Sequence, residues 1–171
     1  MWFFRTLLDP FGAQRETLRR GRYGVIEIRR GRLWAVHLRL WPRMVTVVDA
    51  EWLGRRYHQS RPGDRCLLYY NQPRRCPSFL ALVFVVSGRG CTFATFRRSL
   101  EVLDEVARLK RSDAIVCDAW NGRISDRLLA RWGWEPHKPQ RWHRNYIKRF
   151  YGVYPPSKLE TADEPAPATP C

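Results

Sequence analysis

The stretch FLALVFVV, residues 79–86, decides the fold. Such an unbroken apolar run is typical of a strand that is buried on both faces of a sheet. A short loop, Ser87–Gly90, follows it, and the spacing of apolar residues then becomes helical. From Phe96 to Ala107, apolar residues recur every three or four positions and charged residues occupy the opposite face. The pattern predicts a central strand, a loop, and an amphipathic helix for which Thr92 is the N-cap.

The residues after this helix predict a second strand, a second helix and closing strands. Residues 114–118 (AIVCD) predict another buried strand, and Asn121 is expected to cap the next helix, which ends at Gly133 as its C′ residue. Trp134 and residues 142–151 predict the closing strands. This alternation is typical of a right-handed βαβ unit. We therefore expect the strands at 79–86 and 114–118 to lie side by side in parallel and to splay near their carboxyl ends.

The first half of the chain predicts further strands around turn residues. The expected strands are residues 25–29, 33–41, 44–48 and 66–70, with a short helix at 49–57. Residues 1–24 predict an N-terminal arm with one short helix. Residues 155–171, rich in proline, alanine and acidic side chains, predict a disordered tail. The fold class is therefore α/β (of the α+β type), with a single domain at residues 25–154.

The composition is that of a folded and strongly basic protein. The hydrophobic fraction is 44% and the aromatic fraction 13%, more than a disordered basic chain carries. The formal net charge of +15 attracts polyanions: nucleic acid, an anionic membrane or a phosphorylated cofactor. Five cysteines without a CxxC pair and no signal-peptide pattern favour a cytoplasmic location. The apolar start, residues 1–8, is far shorter than the ~20 residues of a membrane span, so no transmembrane segment is expected.

Two motifs on these elements match a known family. The loop and helix start after the apolar strand read RGCTFA, from Arg89 to Ala94. Further on, Asn121 precedes a short helix that ends in Gly133-Trp134. The region 79–151 thereby resembles the GNAT superfamily of acyl-CoA-dependent N-acyltransferases. The cofactor loop of that family reads Gln/Arg-x-x-Gly-x-Gly/Ala, so that Arg89 and Ala94 agree with it and Thr92 replaces its first glycine.

The resemblance implies a GNAT-like central mixed sheet flanked by helices, and transfer of an acyl group from acetyl-CoA or another acyl-CoA to an unidentified amine. A helix N-terminus presents unpaired N–H groups that suit a pyrophosphate, although a β-branched Thr92 crowds the approach. The competing interpretation of the loop is a plain strand-to-helix turn. The residues expected to bind the cofactor are Ser87, Gly88, Arg89, Gly90, Thr92, Ala94 and Asn121.

No catalytic residue can be assigned from the sequence. Acyl transfer to an amine needs a base for the ammonium proton and often an acid for the thiolate. Many members of the family use a tyrosine in the last helix as the acid, but Leu128 and Leu129 stand at the matching positions. Candidate bases also fit as caps, turns or surface residues; they are Asp49, Glu51, His58, Asp64 and Asp118. His137 and His143 have no carboxylate or cysteine at ligand spacing, so no metal site is expected.

The alternative function is a catalytically inactive GNAT-like domain that binds nucleic acid or a protein partner through its basic surface. Trp142, Tyr146 and Phe150 are expected on one face of a strand, with Arg144 and Lys148 between them. Aromatic rings with nearby cations can stack single-stranded bases. The competing interpretation is that these aromatic residues are the packed face of the sheet.

Overall fold

The computed structural model describes residues 5–42, 63–119, 125–138 and 143–157. Within them, an eight-stranded mixed sheet carries three helices. The strands are β1 (Arg5–Leu7), β2 (Tyr23–Arg29), β3 (Arg32–Arg39), β4 (Arg65–Asn71), β5 (Phe79–Ser87), β6 (Ala114–Asp118), β7 (Glu135–Pro136) and β8 (Asn145–Arg149). The helices are α1 (Arg15–Arg20), α2 (Phe93–Lys110) and α3 (Asp126–Arg131). The strand order is β1-β3-β2-β4-β5-β6-β8-β7, which confirms the mixed sheet expected from the sequence.

The strands β5 and β6 form the parallel pair that the sequence predicts. Their pairing runs from Phe79 with Ala114 to Leu82 with Cys117 and then ends. On its other edge β5 pairs with β4 as far as Ser87, across a bulge at Val83. A bulge of this kind bends its strand. Among the described residues, the last part of β5 therefore has no strand partner on the β6 side, in line with the expected splaying.

One expectation about β5 is wrong. The apolar run was expected to be buried on both faces, but residues 81–85 are only half-buried. The pairing with β6 covers only the first part of the strand, and apolar composition alone does not reveal where a neighbouring strand stops. The carboxyl half of β5 is thus an apolar surface at the edge of the opening beside β6.

Helix α2 lies across the sheet on the face that holds the main core. Its apolar stripe, including Leu103 and Val106, packs with Ile26, Leu68 and Tyr70 from the strands below. Thr92 is the N-cap, as expected: its hydroxyl accepts a hydrogen bond from the N–H of Thr95 at 3.2 Å. The helix position, and so the direction of its N-terminus, is therefore set by core packing together with a side-chain cap.

The segment predicted as an N-terminal arm supplies β1, α1 and the first residues of β2. Leu7 and Leu18 are fully buried in the main core. The ammonium group of Lys110, at the end of α2, donates hydrogen bonds to the carbonyl oxygens of Arg19 (2.9 Å) and Gly21 (2.6 Å). These contacts join the carboxyl ends of α1 and α2.

The cap predicted for the third helix is wrong. Helix α3 begins at Asp126, and the hydroxyl of Ser125 accepts a hydrogen bond from the N–H of Leu128 at 3.3 Å. Both residue types cap helices well, so composition does not choose between them. Gly133 has φ +80°, the left-handed conformation expected after a helix.

Several expectations fall on residues outside the described part of the chain. These are the strand at 44–48, the helix at 49–57, Asn121, Trp142 and most of the tail. Over the described ranges, no helix has the length and apolar composition needed to cross a bilayer.

Candidate active site

The loop between β5 and α2 lies where the two parallel strands part. It is held by hydrogen bonds from the N–H of Gly88 to the carbonyl of Arg65 (2.9 Å) and from Cys91 to Gly88 (3.0 Å). The structure places six of the seven expected cofactor-binding residues on this loop and the first turn of α2. Arg89, Gly90, Thr92 and Ala94 are exposed, Ser87 is half-buried and Gly88 is buried. The seventh, Asn121, lies outside the described residues.

An internal carboxylate already contacts the N-terminus of α2. Asp64 accepts hydrogen bonds from the N–H of Thr92 (2.8 Å), from the hydroxyl of Thr92 (3.1 Å) and from the hydroxyl of Thr95 (2.7 Å). Burial opposes ionisation of Asp64, but these hydrogen bonds outweigh it and lower the pKa of the carboxyl. A cofactor phosphate that used the N–H of Thr92 would have to displace this carboxylate. Of the three alternatives to a catalytic role that the sequence left open for Asp64, a cap, a turn or a surface residue, the structure supports the cap.

Arg89 is the cation most available at this loop. Its side chain is exposed and has no ion pair among the described residues. Arg97 and Arg98, also on α2, both pair with Glu101, at 3.2 and 3.3 Å. Arg89 is therefore available to an anion at the loop, while Arg30 adds positive charge beside Asp64.

A histidine–carboxylate pair lies at the carboxyl end of β6. The Nδ1 atom of His143 is 2.6 Å from Oδ2 of Asp118, and the N–H of Arg144 donates to the other carboxylate oxygen at 3.2 Å. The antiparallel register of β6 and β8 sets Asp118 opposite Asn145 and so brings His143 beside it. The side chain of His143 is 47% exposed and thus accessible to solvent. An imidazole held by a carboxylate is suited to general-base chemistry.

Sequence spacing did not reveal this carboxylate partner of His143. The two residues are far apart in sequence, and only the pairing of β6 with β8 joins them. The register of these two predicted strands was the signal that could have found the pair. His137 forms no such pair with a described residue. Its backbone N–H donates a hydrogen bond to the carbonyl oxygen of Asn145.

No protein-family model, curated protein or solved structure matches the chain. In the described ranges, no three side chains of His, Cys, Asp or Glu converge as metal ligands would. The chemistry of the site must therefore be argued from its own geometry.

On the last strand, the structure confirms the packed-face interpretation for Tyr146 and Phe150. Tyr146 and Phe150 are buried in the main core, at 3% and 4% exposure, while Trp142 lies outside the described residues. Alternate residues of a strand share a face, so Arg144 and Lys148 point the same way as Tyr146. Arg144 pairs with Asp126 on α3, and Lys148 donates to Asp104 on α2 at 2.6 Å. These cations join β8 to the helices and do not form a platform for bases.

A second polar cluster lies on the sheet face opposite the main core. Glu27, 2% exposed, lies 2.5 Å from Nε of Arg29, 2.8 Å from Nε of Arg65 and 2.9 Å from Nε2 of His37. The hydroxyl of Thr6 is 2.9 Å from the other ring nitrogen of His37. This chain of contacts has the connectivity of a hydroxyl–imidazole–carboxylate triad.

The electrostatics of this cluster indicate a structural role. Burial opposes ionisation of Glu27, but hydrogen bonds from His37 and Arg29 and the charge of Arg65 outweigh it and lower the pKa to about 2. A carboxylate shared with two arginines is a weak base and stabilises an imidazolium poorly. The cluster is therefore better suited to joining β1, β2, β3 and β4 than to activating Thr6.

Proposed function

We propose that the protein is an acyl-CoA-dependent N-acyltransferase that moves an acyl group from acetyl-CoA or another acyl-CoA to an amine. The opening between β5 and β6 is the observation that carries this proposal. Pairing ends at Leu82 and Cys117, while β5 continues to Ser87 with a half-buried apolar surface. The pantetheine arm of CoA is extended and contains amide groups. Such a chain can add to the exposed edge of a strand through backbone hydrogen bonds.

The phosphates of the cofactor would lie at the loop that follows β5. Arg89 supplies an exposed cation there, and the N-terminus of α2 adds partial positive charge. Asp64 competes with an external anion because its carboxylate accepts the hydrogen bonds of Thr92. Weak binding of CoA follows from this competition.

His143 is the proposed general base. It would take the proton from the substrate ammonium, after which the free amine attacks the thioester carbonyl. The new amide bond forms as the carbon–sulfur bond breaks, the amide nitrogen gives up its second proton to solvent, and CoA leaves as its thiolate. Tyr146 is a poor acid for this thiolate, because its hydroxyl donates to Asp126 at 2.7 Å and accepts from Arg144 at 3.0 Å. A thiol has a pKa of about 8.5, so water can protonate the leaving group.

Titration calorimetry with CoA and acetyl-CoA tests the cofactor site. We expect weak binding by the wild type, and a loss of about tenfold in affinity for Arg89→Ala, which removes one charge-assisted contact at an exposed site. Asp64→Asn should bind more tightly, because the amide keeps an acceptor for Thr92 but removes the competing charge. Arg97→Ala is the matched control, since this exposed arginine already pairs with Glu101.

Two results would contradict the proposed cofactor site. One is the absence of heat and of any thermal shift at millimolar CoA. The other is an equal loss of affinity in Arg89→Ala and Arg97→Ala. The affinity for CoA would then depend on the overall positive charge of the protein and not on a specific contact with Arg89. In the first case, a domain without acyltransferase activity becomes the better interpretation.

A further inference from the structure

A basic groove lies between α1 and the carboxyl end of α2, and the proposed acyl transfer makes no use of it. It encloses 470 Å³, and its lining includes Gly12, Ala13, Leu109 and a single acid, Glu16. The remaining lining residues are arginines: Arg15, Arg19, Arg108 and Arg111. Four guanidinium groups around one groove that contains a single carboxylate favour an anionic ligand.

The nearby acids form ion pairs with two of these four arginines, Arg19 and Arg108. Glu16 is shared by Arg19 (2.8 Å) and Arg20 (2.9 Å), and Glu105 pairs with Arg108 at 2.6 Å. Among the described residues, Arg15 and Arg111 have no ion pair, and both are exposed.

A further acid, Asp9, lies near the groove, but it forms hydrogen bonds with the backbone. Its carboxylate accepts hydrogen bonds from the N–H groups of Gly12 (2.9 Å) and Ala13 (2.7 Å). Asp9 therefore stabilises the turn before α1. Within the described ranges, the guanidinium groups of Arg15 and Arg111 remain at the groove without an ion pair.

The half-buried ammonium group of Lys110 lies in the same positively charged region. It lies between the carboxyl ends of α1 and α2, where it also contacts the side-chain oxygen of Gln72 at 3.3 Å. Burial, together with repulsion from Arg22 and Arg19, lowers its pKa to about 8. Arg22 and Arg19 thus add electrostatic repulsion to the larger effect of burial. The contacts of Lys110 with α1 also hold the two groove walls together.

We propose that this groove binds a ligand with linked phosphate groups. Guanidinium groups donate paired hydrogen bonds that match phosphate oxygens, so Arg15 and Arg111 together can engage neighbouring phosphates. Linear polyphosphate and the backbone of a single-stranded nucleic acid share this chemistry. Helix α2 has 18 residues and a length of about 27 Å. The groove is therefore remote from Arg89 at the other end of α2, and the inference stands apart from the proposed acyl transfer.

The test measures binding of tripolyphosphate by calorimetry and of a labelled single-stranded RNA by fluorescence anisotropy. We expect Arg15→Gln/Arg111→Gln to weaken binding about tenfold or more. The slope of log K against log salt concentration for RNA binding should become less steep by about 1.4, since two phosphate contacts disappear. The matched control is Arg127→Gln/Arg131→Gln, which removes two exposed arginines from α3 and should change affinity less than about twofold.

Competition separates the two sources of phosphate. Displacement of RNA by tripolyphosphate supports recognition of phosphate groups alone, whereas RNA binding that resists tripolyphosphate supports a nucleic-acid backbone as the ligand. Equal losses in the groove variant and the α3 control overturn the inference, as does failure of the wild type to bind either probe at about 50 mM salt. Arg15→Gln alone, with unchanged thermal unfolding, serves as a second variant if the double substitution perturbs folding.

Discussion

Replacing Glu27 with alanine is expected to lower the free energy of unfolding by about 3–5 kcal/mol, because removing one partner of a buried ion network leaves the other charges uncompensated. Glu27 is 2% exposed and contacts Arg29, Arg65 and His37. Urea unfolding of the variant and wild type measures the loss. The control is Glu16→Ala, because Glu16 is an exposed acid whose pairs with arginine are screened by solvent and should change stability far less.

The same carboxyl makes stability depend on pH in acid. Its pKa is lowered from 4.5 to about 2 on folding, so the ionised form is favoured in the native state. The resulting stabilisation, about 3 kcal/mol, is fully present above pH 4.5 and is lost as pH falls towards 2. Glu27→Ala should therefore lose less stability than the wild type over this interval. If both proteins lost the same stability over this interval, Glu27 would not be the source of the acid sensitivity.

For acyl transfer, His143→Ala is expected to lower kcat about 10²–10⁴-fold, the usual contribution of a general base. The KM for the acyl-CoA should change little, because the residue is proposed to act on the amine. Asp118→Asn should lower kcat as well, since the carboxylate holds the imidazole at 2.6 Å. The measurement is thiol release from acetyl-CoA with a panel of amines.

Two further arms distinguish a base from a structural residue. Added imidazole should restore part of the rate of His143→Ala, which a merely misfolded site would not show. His137→Ala is the matched control and should retain the wild-type rate, because His137 bonds to Asn145 through its backbone N–H, which alanine keeps. An unchanged rate in His143→Ala would exclude it as the base.

The elements of the second half could be predicted because their signals are local. Composition or period indicates each of three elements separately: the strand at the apolar run 79–86, the helix after Thr92, and β6. The order of these elements then predicts the parallel pairing that the structure contains. The half-burial of β5 could not be predicted in this way, because it depends on where β6 stops.

The site residues that were missed depend on contacts between distant parts of the chain. His143 meets Asp118 only through the register of β6 and β8. Asp64 reaches Thr92 from the start of β4, although it reads locally as part of a turn. Such tertiary contacts leave no local pattern in a single sequence. By contrast, the period of two in Tyr146 and Phe150 is a local pattern, and its packed-face interpretation agrees with their place in the main core.

Hydrogen exchange with acetyl-CoA tests most directly whether the opening between β5 and β6 binds the cofactor. With saturating acetyl-CoA, the amides of residues 83–87 should exchange more slowly, because the pantetheine arm adds to the part of β5 that pairs with no described strand beyond Leu82. The amides of β3, which lies beyond β2 and β4 in the sheet, should be unaffected. Unchanged exchange at residues 83–87 in millimolar acetyl-CoA would contradict acyl-CoA binding at this opening.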